Sequence, residues 1–382
     1  MIIAIVITNS LNSSSGHRVI SEKWAEGFKR KHPSDEILII HTDAQGPFAN
    51  AKFLDFPNNT GINIVKMRSP ISTIFFSFTS HFGVFGNFLF DWILYPWLYI
   101  IMNHKTINNL SKRIDCFLFY NKNDVFSYYF VDPMSKRVVS GEDGLPSTNN
   151  ALLFRIGAKT IRLISHKIHF LSEGQFTSFG YGKERDFVLP NGLDGHEFYP
   201  LESVKKDLKT KFLYVGRLVR SKGIEELLEA YSPLLFDQRF QLTIVGDGDR
   251  SEVVKQISSQ KGSGVVYMGH LDRKDLLPVY QESDVFVFLT HHEPFGMVVL
   301  EALACGSYCL VSSTMRGVFD EFEALGVLEY VDNTPQMVTK RMLELYGKKL
   351  SFDKKMSIHR YISQKYNWDS ISEKLYDELV ST

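Results

Sequence analysis

The stretch VFVFLTHHEPFGMVVLEALACGSYCLV, residues 285–311, reads as strand, loop, helix and strand again. Val285–Leu289 is a short apolar run of β-type residues, and Tyr308–Val311 is another. Between them THHEPFG forms a loop, and Gly296–Cys305 is a helix that stops near Gly306, a residue suited to the position after a helix. Two buried strands joined by a helix form a parallel βαβ unit. The unit also carries two glutamates eight positions apart, Glu293 in the loop and Glu301 inside the apolar helix. A glutamate flanked by Val298, Val299, Leu300, Ala302 and Leu303 is seldom buried without a partner.

The same alternation extends along the chain. Candidate strands are Ile2–Ile7, Glu36–His41, Ile62–Lys66, Asp115–Tyr120, Arg137–Ser140, Lys167–Leu171 and Asp186–Leu189, with helical stretches between them. After Pro200 the rhythm restarts at Lys211–Val215, Gln241–Val245, Val265–Met268, Val285–Leu289 and Tyr308–Val311. Between the two series lies PNGLDGHEFYPLESVKKDLKTK (190–211), rich in Gly, Pro and charge, which is linker chemistry. The pattern predicts an α/β protein of two doubly wound Rossmann-like domains facing across a cleft. The expected division is 1–190, 191–365, and a last helix, 366–382, packing back toward the first domain.

Composition narrows the class. Lys plus Arg (43) equals Asp plus Glu (43), so no net charge recommends a nucleic-acid partner. Cys116, Cys305 and Cys309 show no CxxC spacing and read as reduced thiols of a cytoplasmic protein. MIIAIVITNS lacks a basic leader region and reads as a first strand. SPISTIFFSFTSHFGVFGNFLFDWILYPWLYIIMNH (69–104) contains one formal charge, Asp91, with Lys66, Arg68, Lys105, Lys112 and Arg113 on its flanks. Polar residues and Pro96 interrupt it too often for a spanning helix. It reads either as core or, over 74–102, as a face in peripheral contact with a membrane.

Three loops at strand ends hold the chemistry. In EPFGMVVLE the backbone N–H groups from about Gly296 to Val298 open a helix, where a diphosphate gains from free amides and the helix dipole. Eight residues of helix span about 12 Å, the scale of a nucleotide-sugar from its sugar to its ribose. Carboxylates at both ends suit vicinal hydroxyls. In FLYVGRLVRSKGIEELLEA (212–230), Gly216 ends a strand, and Arg217 and Lys222 precede a helix; both cations can hold phosphate oxygens without a P-loop. In TNSLNSSSGHRVISEKWAEGF (8–28), Gly16 permits close backbone approach. DGD at 247–249 lies in a turn after a strand rather than in a metal shell, and His291-His292 do not form one either. No metal and no cofactor is expected.

Together these residues resemble retaining glycosyltransferases of the GT-B fold, glycosyltransferase family 4 (glycosyl transferases group 1). The likeness is strong from Phe170 to Ser313. Glu293 and Glu301 match the family's E-x7-E; Gly216, Arg217, Leu218, Lys222 and Gly223 match its G-R-L…K-G; Leu171-Ser172-Glu173 with Pro190-Asn191-Gly192-Leu193-Asp194 match its interdomain pattern; Ile244 to Gly248 match its glycine turn. The resemblance implies a metal-independent hexosyltransferase in which Arg217 and Lys222 stabilise the diphosphate leaving group, Glu293 contacts the donor sugar and Glu301 the ribose. The amides from Phe295 to Val298 would bind sugar hydroxyls and phosphate, and Gly16 would lie under the diphosphate. The family often has Gly-Gly in the first loop, where this chain has Ser15-Gly16. Many members carry a His after the strand that here reads RVVSGEDG, where Glu142 and Asp143 stand as candidate acceptor-side groups. The expected partners are a UDP- or GDP-sugar and a glycan or lipid-linked glycan of bacterial surface polysaccharide assembly, at the inner face of the cell membrane. A non-catalytic sugar-nucleotide-binding scaffold of the same fold is the alternative. A nucleotide-cofactor oxidoreductase would need the third glycine that VGDGDR (245–250) lacks.

Overall fold

The computed structural model describes residues 1–7, 16–43, 61–68, 95–120, 122–141, 152–180, 182–202 and 209–381. The chain divides into two compact units: Met1–Asn191 with Trp368–Thr382, and Gly192–Asn367.

In the first unit β1 (Ile2–Ile7), β2 (Glu36–Asp43), β3 (Ile62–Arg68), β4 (Cys116–Phe119), β5 (Arg137–Ser140), β6 (Lys167–Phe170) and β7 (Phe187–Val188) form one sheet. Its order is β3-β2-β1-β4-β5-β6-β7, with every pair parallel. Such a sheet needs helices on both faces, and its central strands are correspondingly rich in apolar residues. β4 and β6 are buried along their whole length. The intervening helices are α1 (Gly16–Lys31), α2 (Tyr95–Ser111), α3 (Lys122–Val131), α4 (Leu152–Ile164) and α5 (Glu173–Phe179). Ser172 caps α5 by accepting from the Gln175 amide, and Gly180 ends it in the left-handed region at φ 72°.

The chain's last helix (Trp368–Val380, α13 below) packs on α1. Gly27 lets the two approach closely, since a Cβ there would fall 2.4 Å from the Ser372 Cβ. Arg30 pairs with Asp369, Lys31 with Glu373 at 2.9 Å, and the Tyr376 hydroxyl donates to Asp35. From β6, Lys167 donates to the Glu378 carboxylate at 2.8 Å.

The second unit carries β8 (Thr210–Val215), β9 (Phe240–Val245), β10 (Val265–Gly269), β11 (Val285–Phe288), β12 (Tyr308–Ser312) and β13 (Leu328–Val331) in the order β10-β9-β8-β11-β12-β13, again all parallel. Helices α6 (Ile224–Tyr231), α7 (Ser251–Ser259), α8 (Arg273–Glu282), α9 (Met297–Ala304), α10 (Asp320–Ala324), α11 (Pro335–Glu344) and α12 (Phe352–Lys365) connect and flank the strands, and α13 follows. Some details differ from the sequence reading. β7 is only two residues long, and β13 was not anticipated. β13 is an edge strand in which Glu329 interrupts the apolar run and binds Arg341. Among the described residues, no helix is long and apolar enough to cross a membrane.

Candidate active site

Strand β8 ends at Val215, and the chain turns through Gly216 into a loop that closes at Gly223, just before α6. The loop is held from behind. The Tyr214 hydroxyl donates to the Arg217 carbonyl at 2.9 Å, and the Leu218 amide donates to the Asp247 carbonyl at 2.8 Å. The Ile244–Gly248 turn lies flush against it: a Cβ on Gly246 would sit 1.8 Å from the Gly216 carbonyl oxygen. Within that turn the Asp247 carboxylate accepts from the Ser251 hydroxyl and from the Gly248 amide at 2.8 Å, and these bonds lower its pKa. The turn's acid therefore serves the start of α7.

Strand β11 ends alongside, and residues 289–296 run from it into α9. The two loops are joined through backbone. The His291 amide donates to the Ser221 carbonyl at 3.0 Å, and the Thr290 hydroxyl donates to the same oxygen at 3.1 Å. Gly223, at φ 71°, rests on the Leu289 carbonyl so tightly that a Cβ would come within 1.9 Å of the oxygen. Asn333 donates to the Leu289 carbonyl at 2.7 Å from the far side. The result brings Lys222 to Glu293, with Nζ donating to Oε2 at 2.6 Å and both side chains mostly shielded from solvent. Arg217 lies exposed on the same loop as Lys222.

Gly296 has φ 89°, a left-handed conformation that glycine adopts without strain, and it precedes α9. Phe295 is buried against Phe319 and Tyr366, so its ring anchors the loop and its backbone is the part available to a ligand. Met297 and Val298, in the first turn, are half-buried. The helix observed is Met297–Ala304, one residue shorter at each end than the sequence suggests.

Glu301 is 2% exposed. Arg273 donates to its Oε1 at 2.5 Å and Tyr280 donates to its Oε2 at 2.8 Å. Arg273 also donates through Nε to Glu197 at 2.8 Å, and its guanidinium lies 4.6 Å from the Phe198 ring centroid. Burial raises the Glu301 pKa, and the charge and hydrogen bonds of Arg273 with the Tyr280 hydroxyl work against that shift. Burial likewise pushes the Tyr280 phenol well up, so it is a donor at neutral pH. Sequence reasoning required a partner for Glu301 and did not identify Arg273, Tyr280 or Glu197. Arg273 and Tyr280 stand 28 and 21 residues before the acid, with β11 between them and it, and Glu197 stands further back still, so none follows a local periodicity.

The other expected residues belong to the first unit. Gly16 is the first residue of α1 in the first unit. Glu142, Asp143 and the loop 8–15 before Gly16 fall outside the described residues, as does 74–94 of the aromatic segment. Among the described residues, no group of three or more His, Cys, Asp or Glu side chains is arranged to hold a metal ion.

Residues 197–375 match the family model described as glycosyl transferases group 1. A glycosyltransferase of Methanocaldococcus jannaschii is 31% identical over 221 residues, covering 53% of this chain and 56% of that protein. An N,N′-diacetylbacillosaminyl-diphospho-undecaprenol α-1,3-N-acetylgalactosaminyltransferase of Campylobacter jejuni is 24% identical over 237 residues, covering 56% of this chain and 61% of that one. The chain spans about half the length of the curated relatives it matches. Among solved structures, the Anabaena HepE protein in complex with UDP and glucose superposes with a TM-score of 0.69 at 15% identity, covering 100% of both chains. The fold is GT-B: two doubly wound Rossmann-like domains.

Proposed function

Starting from a segment, 197–375, that belongs to glycosyl transferases group 1, we propose that the chain is a retaining, metal-independent glycosyltransferase. It moves a hexosyl group from a UDP- or GDP-sugar to an acceptor hydroxyl. The observation that carries this reading is the Lys222–Glu293 pair at 2.6 Å, with Arg217 on the same loop as Lys222, α9 starting just after Glu293, and Glu301 further along that helix.

The chemistry follows from electrostatics. Cleaving the bond from sugar to diphosphate builds negative charge on a phosphate oxygen, and fixed cations stabilise that charge most when they are already oriented. Lys222, Arg217 and the amides from Phe295 to Val298 supply positive potential without an ion. Glu293, next to Lys222, is the group that meets the donor sugar as the anomeric carbon becomes electron-poor. Acceptor attack on the face the diphosphate leaves gives retention. Glu301 accepts from the ribose hydroxyls, using lone pairs beyond those that Arg273 and Tyr280 occupy. Gly16 is a further donor-binding residue, and Glu142 or Asp143 acts on the acceptor side.

The acceptor is a lipid-linked or cell-surface glycan of bacterial polysaccharide assembly, such as lipopolysaccharide, O-antigen or capsule, met at the inner face of the membrane. Support comes from the aromatic segment and from α2, where Trp97 and Ile101 are exposed and Trp97 stacks on the exposed Phe130 at 5.6 Å. The undecaprenol in the name of the Campylobacter relative fits the same reading.

Release of free nucleoside diphosphate from a panel of UDP-, GDP- and ADP-sugars, with and without chelator, tests the proposal. Turnover of one donor class, unchanged by chelator, is expected. Binding of a donor without release in the presence of any acceptor extract would indicate a scaffold instead.

A further inference from the structure

Glu301 is an unusual carboxylate for a ligand contact, because it is buried and both its oxygens already accept. Arg273 holds Oε1 and Tyr280 holds Oε2, from the first and the eighth residue of α8. Arg273 is fixed in turn by Glu197 and by the face of Phe198, so its guanidinium is braced by groups on a different stretch of chain. An arginine fork gripped on three sides fixes the direction of each N–H bond it makes. A buried carboxylate without a counter-charge takes up a proton at neutral pH and turns an acceptor oxygen into a donor.

Resting on the reading of Glu301 as the ribose contact, we propose that Arg273 is a positioning residue for the donor nucleoside: braced by Glu197 and Phe198, it aims the Glu301 carboxylate, with Tyr280, at the ribose hydroxyls. Arg273 therefore governs affinity for the nucleoside half of the donor and leaves the diphosphate half to Lys222 and Arg217. The free lone pairs of Glu301, two of four, match the two vicinal hydroxyls of a ribose.

The test is calorimetric titration of the full chain with UDP or GDP (whichever the wild type binds), its 2′-deoxy analogue and inorganic pyrophosphate. The proteins are wild type, Arg273→Met, Arg273→Lys, Tyr280→Phe and Glu301→Gln, each checked for a wild-type thermal transition. Arg273→Met is expected to weaken the nucleoside diphosphate at least tenfold, to erase the preference over the 2′-deoxy analogue, and to leave pyrophosphate within twofold. Nucleotide affinity in this variant should also rise more steeply than that of wild type between pH 6 and 8, because Glu301 must then ionise without its counter-charge while the titration of the diphosphate is common to both proteins. Arg273→Lys restores the charge but not the fork, and Tyr280→Phe removes one donor, so each is expected to lose about threefold. If Arg273→Met does not fold, these two variants decide. Equal losses for nucleotide and pyrophosphate, or an intact ribose preference in folded variants, would overturn the inference while Glu301→Gln still abolished that preference. If Glu301→Gln itself left the ribose preference intact, the ribose reading would fall, and this inference with it.

Discussion

Lys222 and Glu293 neutralise each other across 2.6 Å. A diphosphate arriving beside them must draw the ammonium away from the carboxylate, so part of its binding energy goes into parting the pair. Glu293→Gln should free that ammonium: nucleoside diphosphate binding is expected to tighten about fivefold, the scale of about 1 kcal/mol for a partly shielded charge pair, while sugar transfer falls. Titration and turnover on the same preparation check both halves, and weaker nucleotide binding would contradict this account of the pair. Lys222→Ala removes charge stabilisation from the leaving group and should lower turnover by about 100-fold or more, in line with the loss of one oriented donor at a developing anion; near-wild-type rates would remove Lys222 from the mechanism. At the residue scale the sequence shows that Glu301, an acid in an apolar helix, needs a partner, and it sets Arg217, Lys222 and Glu293 at two strand ends. The bracing of Glu301 was hidden because Arg273 and Tyr280 meet it only through the packing of α8 against α9's neighbourhood.

At the scale of elements, the loops depend on glycines that no side chain can replace. Gly223→Ala would set a Cβ 1.9 Å from the Leu289 carbonyl oxygen at φ 71°. Strain in that region costs about 1–3 kcal/mol before the clash is counted. Urea unfolding should show that loss or more, together with loss of transfer, since the displaced loop carries Lys222; an unchanged midpoint would contradict the packing. In the first unit, His169 on β6 is fully enclosed. Its Nε2–H donates to the Leu189 carbonyl at 2.7 Å, which leaves Nδ1 to accept from the Ser140 hydroxyl at 3.1 Å, and Phe187 stacks on the ring. Burial lowers its pKa to about 4 from 6.5. Between those values the unfolded chain binds a proton that the folded chain refuses, so stability is full above about pH 6.5 and declines as pH falls, by about 3 kcal/mol near pH 4. Comparing urea midpoints of wild type and His169→Gln at pH 7 and pH 5 should show a shallower decline in the variant; parallel declines would exclude this histidine as their source. Strands were the most legible elements. Runs such as Ile2–Ile7 appear with the bounds that their residues suggest, because a strand enclosed on both faces is largely apolar, and Arg137–Ser140 does so with a Val-Val centre between two hydrogen-bonded polar ends. β13 escaped because an edge strand tolerates Glu329 and Glu329 has Arg341 to answer it.

For the molecule as a whole, the two series of parallel strands were visible as a restart of one rhythm, whereas what the sequence presents as acceptor-side chemistry, Glu142 and Asp143, rests on no described geometry. The exposed Trp97, Ile101 and Phe130 lead to a prediction at this scale. The chain should float with anionic vesicles at low salt, more weakly at high salt, and Trp97→Ser with Ile101→Ser should reduce the bound fraction; no flotation under either condition would remove the membrane from the account. The central claim is that a nucleotide-sugar's diphosphate is held by Arg217 and Lys222 at the start of α9, with its ribose at Glu301. A crystal structure of the chain with UDP or GDP tests it most directly. The account predicts phosphate oxygens within hydrogen-bond reach of Lys222 Nζ and ribose hydroxyls within reach of the Glu301 carboxylate. A nucleotide bound in the second unit with neither contact would contradict it.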